Sequence, residues 1–113
     1  MLTLVVAPRA RTQIDQLLRQ SQTQFGEAAA DRYRALLLDA FDQLLNDPVP
    51  VSARLAPVKR TAWMFHLRHV RARKAASERV ASPRHFIVYR HDEVRLEIVQ
   101  VLDDRMDLET RLS

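Results

Sequence analysis

The sequence predicts an α/β protein of the α+β kind, with a helical hairpin packed on one face of a twisted, mainly antiparallel sheet. Three observations predict this class. Residues 2–7 (LTLVVA) form a β-branched opening run, residues 14–45 carry apolar side chains at helical spacing, and three strand-like runs follow residue 60. The predicted element order is β-α-α-β-β-β, followed by a short C-terminal helix or tail.

The helical hairpin is predicted from two apolar faces that the only glycine separates. Pro8 favours the first turn of a helix, and Gly26 suits the end of one; the face between them comprises Ile14, Leu17, Leu18 and Phe25. The second helix carries a full amphipathic stripe of seven residues, namely Tyr33, Leu36, Leu37, Ala40, Phe41, Leu44 and Leu45. Asn46-Asp47-Pro48 ends this helix. Because burial of one large apolar side chain contributes about 1.5–3 kcal/mol, we expect the stripe to form core.

The strands are predicted in the second half of the chain. Residues 49–60 contain two prolines and are predicted to be a connecting loop, and residues 71–83 an exposed loop or short helix. The strand candidates are residues 62–70, 85–90 (HFIVYR) and 94–102 (VRLEIVQVL), the last two joined by a hairpin turn at His91-Asp92-Glu93.

The last predicted strand indicates a sheet that is covered on both sides. Simple alternation places Val94, Leu96 and Ile98 on one face, and Val99 and Val101 on the other. We therefore expect burial on both faces near the end of this strand. Tyr89 and Phe65 lie within apolar runs and are predicted to be packing residues.

Composition excludes several classes of function. A chain of 113 residues, taken as one domain over residues 1–113, can bury a core without covalent staples. It has no cysteine and no apolar run approaching the ~20 residues of a membrane span, so we expect a cytoplasmic protein. His66 and His69 would point to opposite faces of a strand, which argues against zinc. No serine lies in a GxSxG context, and no cofactor or metal is predicted.

Positive charge is concentrated in the middle of the chain. Residues 54–95 carry 11 Lys and Arg against 3 acids, a net charge of +8, whereas residues 1–53 and 96–113 have net charges of −1 and −3. Such a block attracts an acidic partner, either nucleic acid or an acidic protein segment.

The basic block admits two interpretations that its charge alone leaves open. Cleavage of RNA by its own 2′-hydroxyl needs a base, an acid and a cation but no metal, and the candidate residues are Arg68, Arg84, His85 and Arg90. Few aromatic residues interleave these charges, which argues against single-stranded RNA recognition. Alternatively the cations receive an acidic protein segment, for which the candidates are Arg60, Arg68, Arg71, Arg73, Lys74 and Arg84.

Five segments, taken in order over about a hundred residues, resemble the RelE/ParE superfamily of toxins. They are the opening strand running into Pro8-Arg9-Ala10, LLNDP at 44–48, HLRHVRAR at 66–73, PRHFIVYR at 83–90 and VLDDRMDLETRL at 101–112. The resemblance implies the toxin of a type II toxin–antitoxin pair, with an antitoxin whose C-terminal segment wraps the toxin and whose complex binds promoter DNA. It also implies growth inhibition, and plasmid stability where the pair is plasmid-borne.

The closing segment is similar to the ParE branch in particular. RelE-type members cut messenger RNA on the ribosome and commonly use a tyrosine near the C-terminus, whereas ParE-type members poison DNA gyrase. No tyrosine follows Tyr89. The resemblance therefore implies a non-enzymatic gyrase poison with a ParD-like antitoxin, and a target contact through Arg105, Met106, Asp107 and Leu108. The alternatives are that Met106 and Leu108 only pack the tail onto the sheet, that the chain is a RelE-like messenger RNA interferase, or that it is a degenerate toxin retaining only antitoxin binding and autoregulation.

Overall fold

The chain folds as one five-stranded sheet with a helical hairpin against it. The computed structural model describes residues 2–57, 61–71, 80–107 and 111–112. The elements are β1 (Thr3–Val6), α1 (Pro8–Phe25), α2 (Glu27–Asn46), β2 (Arg54–Leu55), β3 (Trp63–His66), β4 (His85–His91) and β5 (Arg95–Asp103). The strand order is β1-β5-β4-β3-β2, with β1 parallel to β5 and every other pair antiparallel. The predicted α+β class with a mainly antiparallel sheet is confirmed.

The helical hairpin forms as predicted. Pro8 stands at the start of α1, and Gly26 (φ 92°, ψ 168°) makes the turn into α2, in a conformation that side-chain-bearing residues rarely adopt. In the predicted stripe of α2, Leu37, Ala40, Phe41 and Leu44 are buried, and the remaining three residues pack against them. This face and the sheet enclose the main core. No helix in the described parts of the chain is long and apolar enough to cross a membrane.

Two strand predictions need correction. The predicted loop over residues 49–60 contains β2, a two-residue edge strand that pairs with Trp63 and Met64 and gives the sheet one strand more than expected. The predicted strand over residues 62–70 ends at His66, where the chain enters the 3-10 helix Leu67–His69. The His66 side chain accepts a hydrogen bond from the Arg68 backbone N–H at 3.0 Å, and this local bond competes with continued pairing.

A bulge changes the facing of β5. Val88 pairs with Gln100 while Tyr89 pairs with Ile98, so Val99 is an extra residue with no pairing partner in β4. Val101 consequently joins Leu96 and Ile98 in the core beneath the helices. Simple alternation predicts Val101 on the opposite face of the sheet. Val94, expected to share that face, precedes the strand and is 62% exposed.

The other face of the sheet is also covered, as predicted. Ala56, Met64, Val88 and Leu102 form a second, smaller core, and Leu112 packs into it with no exposed surface. Residues 111–112 are helical, and the Arg111 N–H donates to the Asp107 carbonyl at 3.1 Å. The end of the described chain therefore crosses behind the sheet.

Candidate partner-binding clefts

A cleft of about 520 Å³ lies between the tip of the helical hairpin and the end of the sheet where β4 begins and β5 ends. We call it the hairpin cleft. The hairpin side includes the apolar residues Leu17, Phe25 and Ala29 together with the cation Arg32, and the other side carries the cations Arg84 and Arg105. Phe25, predicted on the buried face of the first helix, is instead 74% exposed at the mouth of this cleft, because α1 ends there and has no sheet beneath it.

A hydrogen-bonded chain crosses the floor of the hairpin cleft. The Arg84 backbone N–H donates to the Tyr33 hydroxyl oxygen at 3.1 Å, and the Tyr33 hydroxyl donates to Nδ1 of His85 at 2.6 Å. The two rings also meet edge to face, with centroids 5.4 Å apart. Tyr33 on α2 is thereby tied to the first residues of β4, which fixes the distance between hairpin and sheet.

Burial sets the protonation of this pair. It raises the pKa of Tyr33 to about 12 and lowers the pKa of His85 from its usual 6.5, although Asp103 and Asp104 oppose the shift at His85. Both groups are therefore neutral at physiological pH. In the neutral tautomer with its proton on Nε2, His85 offers Nδ1 as the acceptor for the Tyr33 hydroxyl.

A second hydrogen-bonded pair, His66 with Asp104, lies near the Tyr33–His85 pair. His66 is buried, its Nδ1 accepts from the Arg68 N–H, and its Nε2 therefore carries the proton that it donates to Asp104 Oδ2 at 2.8 Å. The His66 ring packs edge-on against Phe86. In the described parts of the chain, no group of three His, Asp or Glu side chains could hold a metal ion. The pair fixes the turn after β5 to the end of β3.

The turn after β5 projects from the same end of the sheet. Asp103 accepts from the Arg105 backbone N–H at 2.8 Å, and its two carboxylate oxygens accept from Nε and Nη2 of the Arg105 guanidinium at 3.0 and 2.9 Å. This hydrogen bonding, against a smaller effect of burial, lowers the pKa of Asp103 to about 2. The Arg105 side chain is still 74% exposed, and Met106 beside it is 40% exposed. The turn thus presents one cation and one apolar side chain outward.

The family described as the ParE toxin of the type II toxin–antitoxin system, parDE, matches residues 4–108 of this chain. That match spans nearly the whole fold, from β1 to the turn after β5. The chain belongs to this family. A comparison with curated proteins finds no match. As a ParE-family protein, the chain is the toxin of a type II pair and has an antitoxin as its partner.

The ParE-family fold brings together only part of the predicted site. Arg84 and His85 lie side by side in the hairpin cleft, and Arg68 follows His66 at the same end of the sheet. Arg90 lies at the other end of β4, about 16 Å from His85 at the usual rise per strand residue, and pairs with Glu97. Arg68, Arg71 and Arg84 are exposed. The predictions at Arg60, Arg73, Lys74 and Leu108 fall outside the described residues.

Several residues of the ParE-family clefts carried no signal in the sequence. Tyr33 was predicted only as core, and Asp103 and Asp104, although part of the segment at 101–112, were given no role of their own. The histidines that these residues contact lie 18 to 52 positions away in the chain, so pairing of strands, rather than local spacing, joins them. Tyr89 is buried as predicted, and its hydroxyl donates to the Pro48 carbonyl at 2.5 Å.

Proposed function

We propose that this ParE-family toxin poisons DNA gyrase through its C-terminal turn, without catalysis of its own, and that a ParD-like antitoxin neutralises it. The observation that carries the proposal is the outward projection of Arg105 and Met106 from a turn in which Asp103 accepts three hydrogen bonds from Arg105. Arginine and methionine are both enriched in protein interfaces. Asp107 continues the same exposed segment.

The antitoxin half of the proposal rests on the hairpin cleft. Arg32 and Arg84 line it, and neither guanidinium has an ion-pair partner within the described residues. Unpaired cations next to Phe25 and Leu17 suit an amphipathic helix that carries acidic residues. Such a segment would fold as it binds, with charge accelerating the encounter and apolar contacts prolonging it. Promoter DNA is then bound by the hetero-oligomer rather than by the toxin alone.

A supercoiling assay tests the gyrase proposal. Wild-type toxin should raise the amount of gyrase-dependent linear DNA, and Met106→Ala should need about tenfold more toxin for the same effect, equivalent to about 1.4 kcal/mol of lost contact. Arg105→Ala should act in the same direction. Arg19→Ala, an exposed cation on α1, serves as the matched control and should leave the activity unchanged.

Two results would contradict this proposal, one its target and the other its contact segment. Unchanged supercoiling at high toxin excess would contradict gyrase poisoning, and full activity of Met106→Ala would remove the C-terminal turn from the contact.

A second candidate function is ribosome-dependent RNA cleavage. It is favoured by one observation, the proximity of Arg84 and His85 in an open cleft with Tyr33. Against it, the Tyr33 hydroxyl and Nδ1 of His85 already bond to each other, and burial raises the pKa of Tyr33 to about 12, so Tyr33 is not available as a tyrosinate base near neutral pH. Messenger cleavage at the ribosomal A site that is lost in a folded Arg84→Ala variant would establish this function instead. Intact messenger beside linearised DNA would exclude it.

A further inference from the structure

Half of β5 lacks a neighbouring strand along one edge. β1 pairs only with the first four residues of β5, because its last residue, Val6, lies opposite Ile98. Pro8 then begins α1, and a proline lacks the N–H that would continue the ladder. Within the described residues, 99–103 therefore have β4 on one side and no strand on the other.

The open edge has outward-pointing amides. Asp104 donates its N–H to the Arg84 carbonyl, so in an antiparallel ladder the N–H groups of Val101 and Asp103 point away from β4. The Val101 N–H confirms this direction, since it donates to Oε1 of Gln13 on α1 at 2.7 Å. The side-chain oxygen of Gln13 thus occupies the position that a main-chain carbonyl of a neighbouring strand would take.

A groove of about 490 Å³ follows this edge. We call it the edge groove. Its floor is the end of β5, one wall is the polar face of α1, and Met106 and Arg111 line the opposite side. The five strand residues 99–103 span about 16 Å, enough for four or five residues of an extended peptide.

Gln100 is an incomplete hydrogen-bonding group in the edge groove. It lines the groove, is only 2% exposed, and accepts a long hydrogen bond of 3.4 Å from Gln13 Nε2. Its own Nε2 has no hydrogen-bond partner. Buried donors are normally satisfied, so this amide is a donor available to an acceptor that enters the groove.

We propose that the edge groove binds an extended segment of the antitoxin as an additional strand on residues 99–103 of β5, with Gln100 donating to that segment. The proposal rests on the antitoxin binding proposed above. Main-chain carbonyls of the added strand would accept from the N–H groups of Val101 and Asp103 and from Gln100 Nε2, and its side chains would face α1 on one side and Met106 and Arg111 on the other.

Charge and continuity select an acidic segment as the occupant. Arg9 and Arg111 line the edge groove and have no ion-pair partner within the described residues, whereas the carboxylate of Asp103 is already paired with Arg105. The edge groove and the hairpin cleft share Leu17 and His85, so the two lie next to each other. A helix in the hairpin cleft can therefore continue as a strand in the edge groove.

Amide hydrogen exchange, followed by NMR on the full-length toxin with and without the antitoxin encoded by the adjacent gene, tests the added strand. Exchange of the Val101 and Asp103 amides should slow at least tenfold in the complex, because a strand replaces solvent and the Gln13 side chain. The amide of Val94, which is already bonded to Asp92 in the turn, is the control. A stable complex with unchanged exchange at Val101 and Asp103 would overturn the added strand alone. Absence of any complex would overturn the antitoxin proposal as well, while a negative gyrase assay would affect neither.

The variant Gln100→Met distinguishes an effect on antitoxin binding from an effect on folding. Methionine fills a similar volume without a donor, so the free toxin should keep or slightly raise its Tm, because an unsatisfied buried group is removed. Antitoxin affinity should fall about tenfold. Gln22→Met, on the exposed surface of α1 outside the groove, should change neither value. A lowered Tm together with unchanged affinity would assign Gln100 a purely structural role and contradict the proposal.

Discussion

At the scale of single residues, the hairpin cleft depends on a histidine that must stay neutral. His85 accepts from Tyr33, and Tyr33 in turn accepts from the Arg84 backbone, so one hydroxyl joins α2 to the start of β4. Protonation of Nδ1 would remove the acceptor. Sequence analysis named His85 as a candidate acid or base, but it could not name Tyr33 as its partner, because 52 residues and a strand pairing separate the two.

The stability of the protein should therefore depend on pH near neutrality. Because burial lowers the pKa of folded His85 below 6.5, the unfolded chain binds more protons between that lowered value and about 6.5. The free energy of unfolding should be constant above this window and fall as the pH drops through it. Urea denaturation at pH 5, 6, 7 and 8 measures this, and His85→Asn should flatten the curve.

His69→Asn measures what a second histidine contributes to that profile. The pKa of His69 is also lowered, by burial and then by Arg68, so this histidine contributes a slope of the same sign. Asp103, whose pKa is lowered to about 2, loses its contribution to the free energy of unfolding only in much stronger acid. A profile that His85→Asn leaves unchanged would contradict the neutral Tyr33–His85 pair.

At the scale of elements, local signals predicted the helices better than the strands. The seven-residue stripe identified α2, because a helix repeats its contacts within one segment, and the predicted turn at Gly26 and stop at Asn46-Asp47-Pro48 lie at its two ends. β2 could not be predicted, since two residues between prolines become a strand only through Trp63 and Met64. The bulge at Val99 depends likewise on β4, and it reverses the facing that alternation predicts for Val101.

The turn between the helices offers a test at this scale. Gly26 has a positive φ of 92°, and a Cβ placed there would meet no atom within 4 Å. Gly26→Ala should therefore lower the free energy of unfolding by about 1–3 kcal/mol through backbone strain alone. Gln24→Ala, in the exposed last turn of α1, should change it by less than about 0.5 kcal/mol. Equal stability of the two variants in urea denaturation would refute the conformational role of Gly26.

At the scale of the whole molecule, the sheet separates two cores of unequal size. The hairpin covers the larger one, and the chain end covers the smaller one through Leu112. Burial on both faces was predictable from the apolar residues on both sides of the last strand. The clefts were not, because each is formed by segments that only the tertiary fold brings together, as Leu17, His85 and Asp103 show.

Leu112 should consequently contribute to global stability. It has no exposed surface, so Leu112→Ala should lower the free energy of unfolding by about 2–5 kcal/mol. Leu38→Ala, at a position that is 58% exposed, is the matched control and should cost less than about 0.5 kcal/mol. The midpoint of urea unfolding, with its slope unchanged, measures both. A shift at Leu112 no larger than that at Leu38 would show that the chain end does not hold the second core together.

The hydrogen bond from Val101 to Gln13 also bears on the aggregation of the toxin when no antitoxin is bound. A strand edge with free amides is a template on which another copy can pair, and repeated pairing leads to aggregates. A toxin is harmful only while it is unbound, so it has to remain dispersed in that form. The Gln13 side chain on α1 occupies one of the edge amides, so we expect it to weaken such pairing in the free toxin.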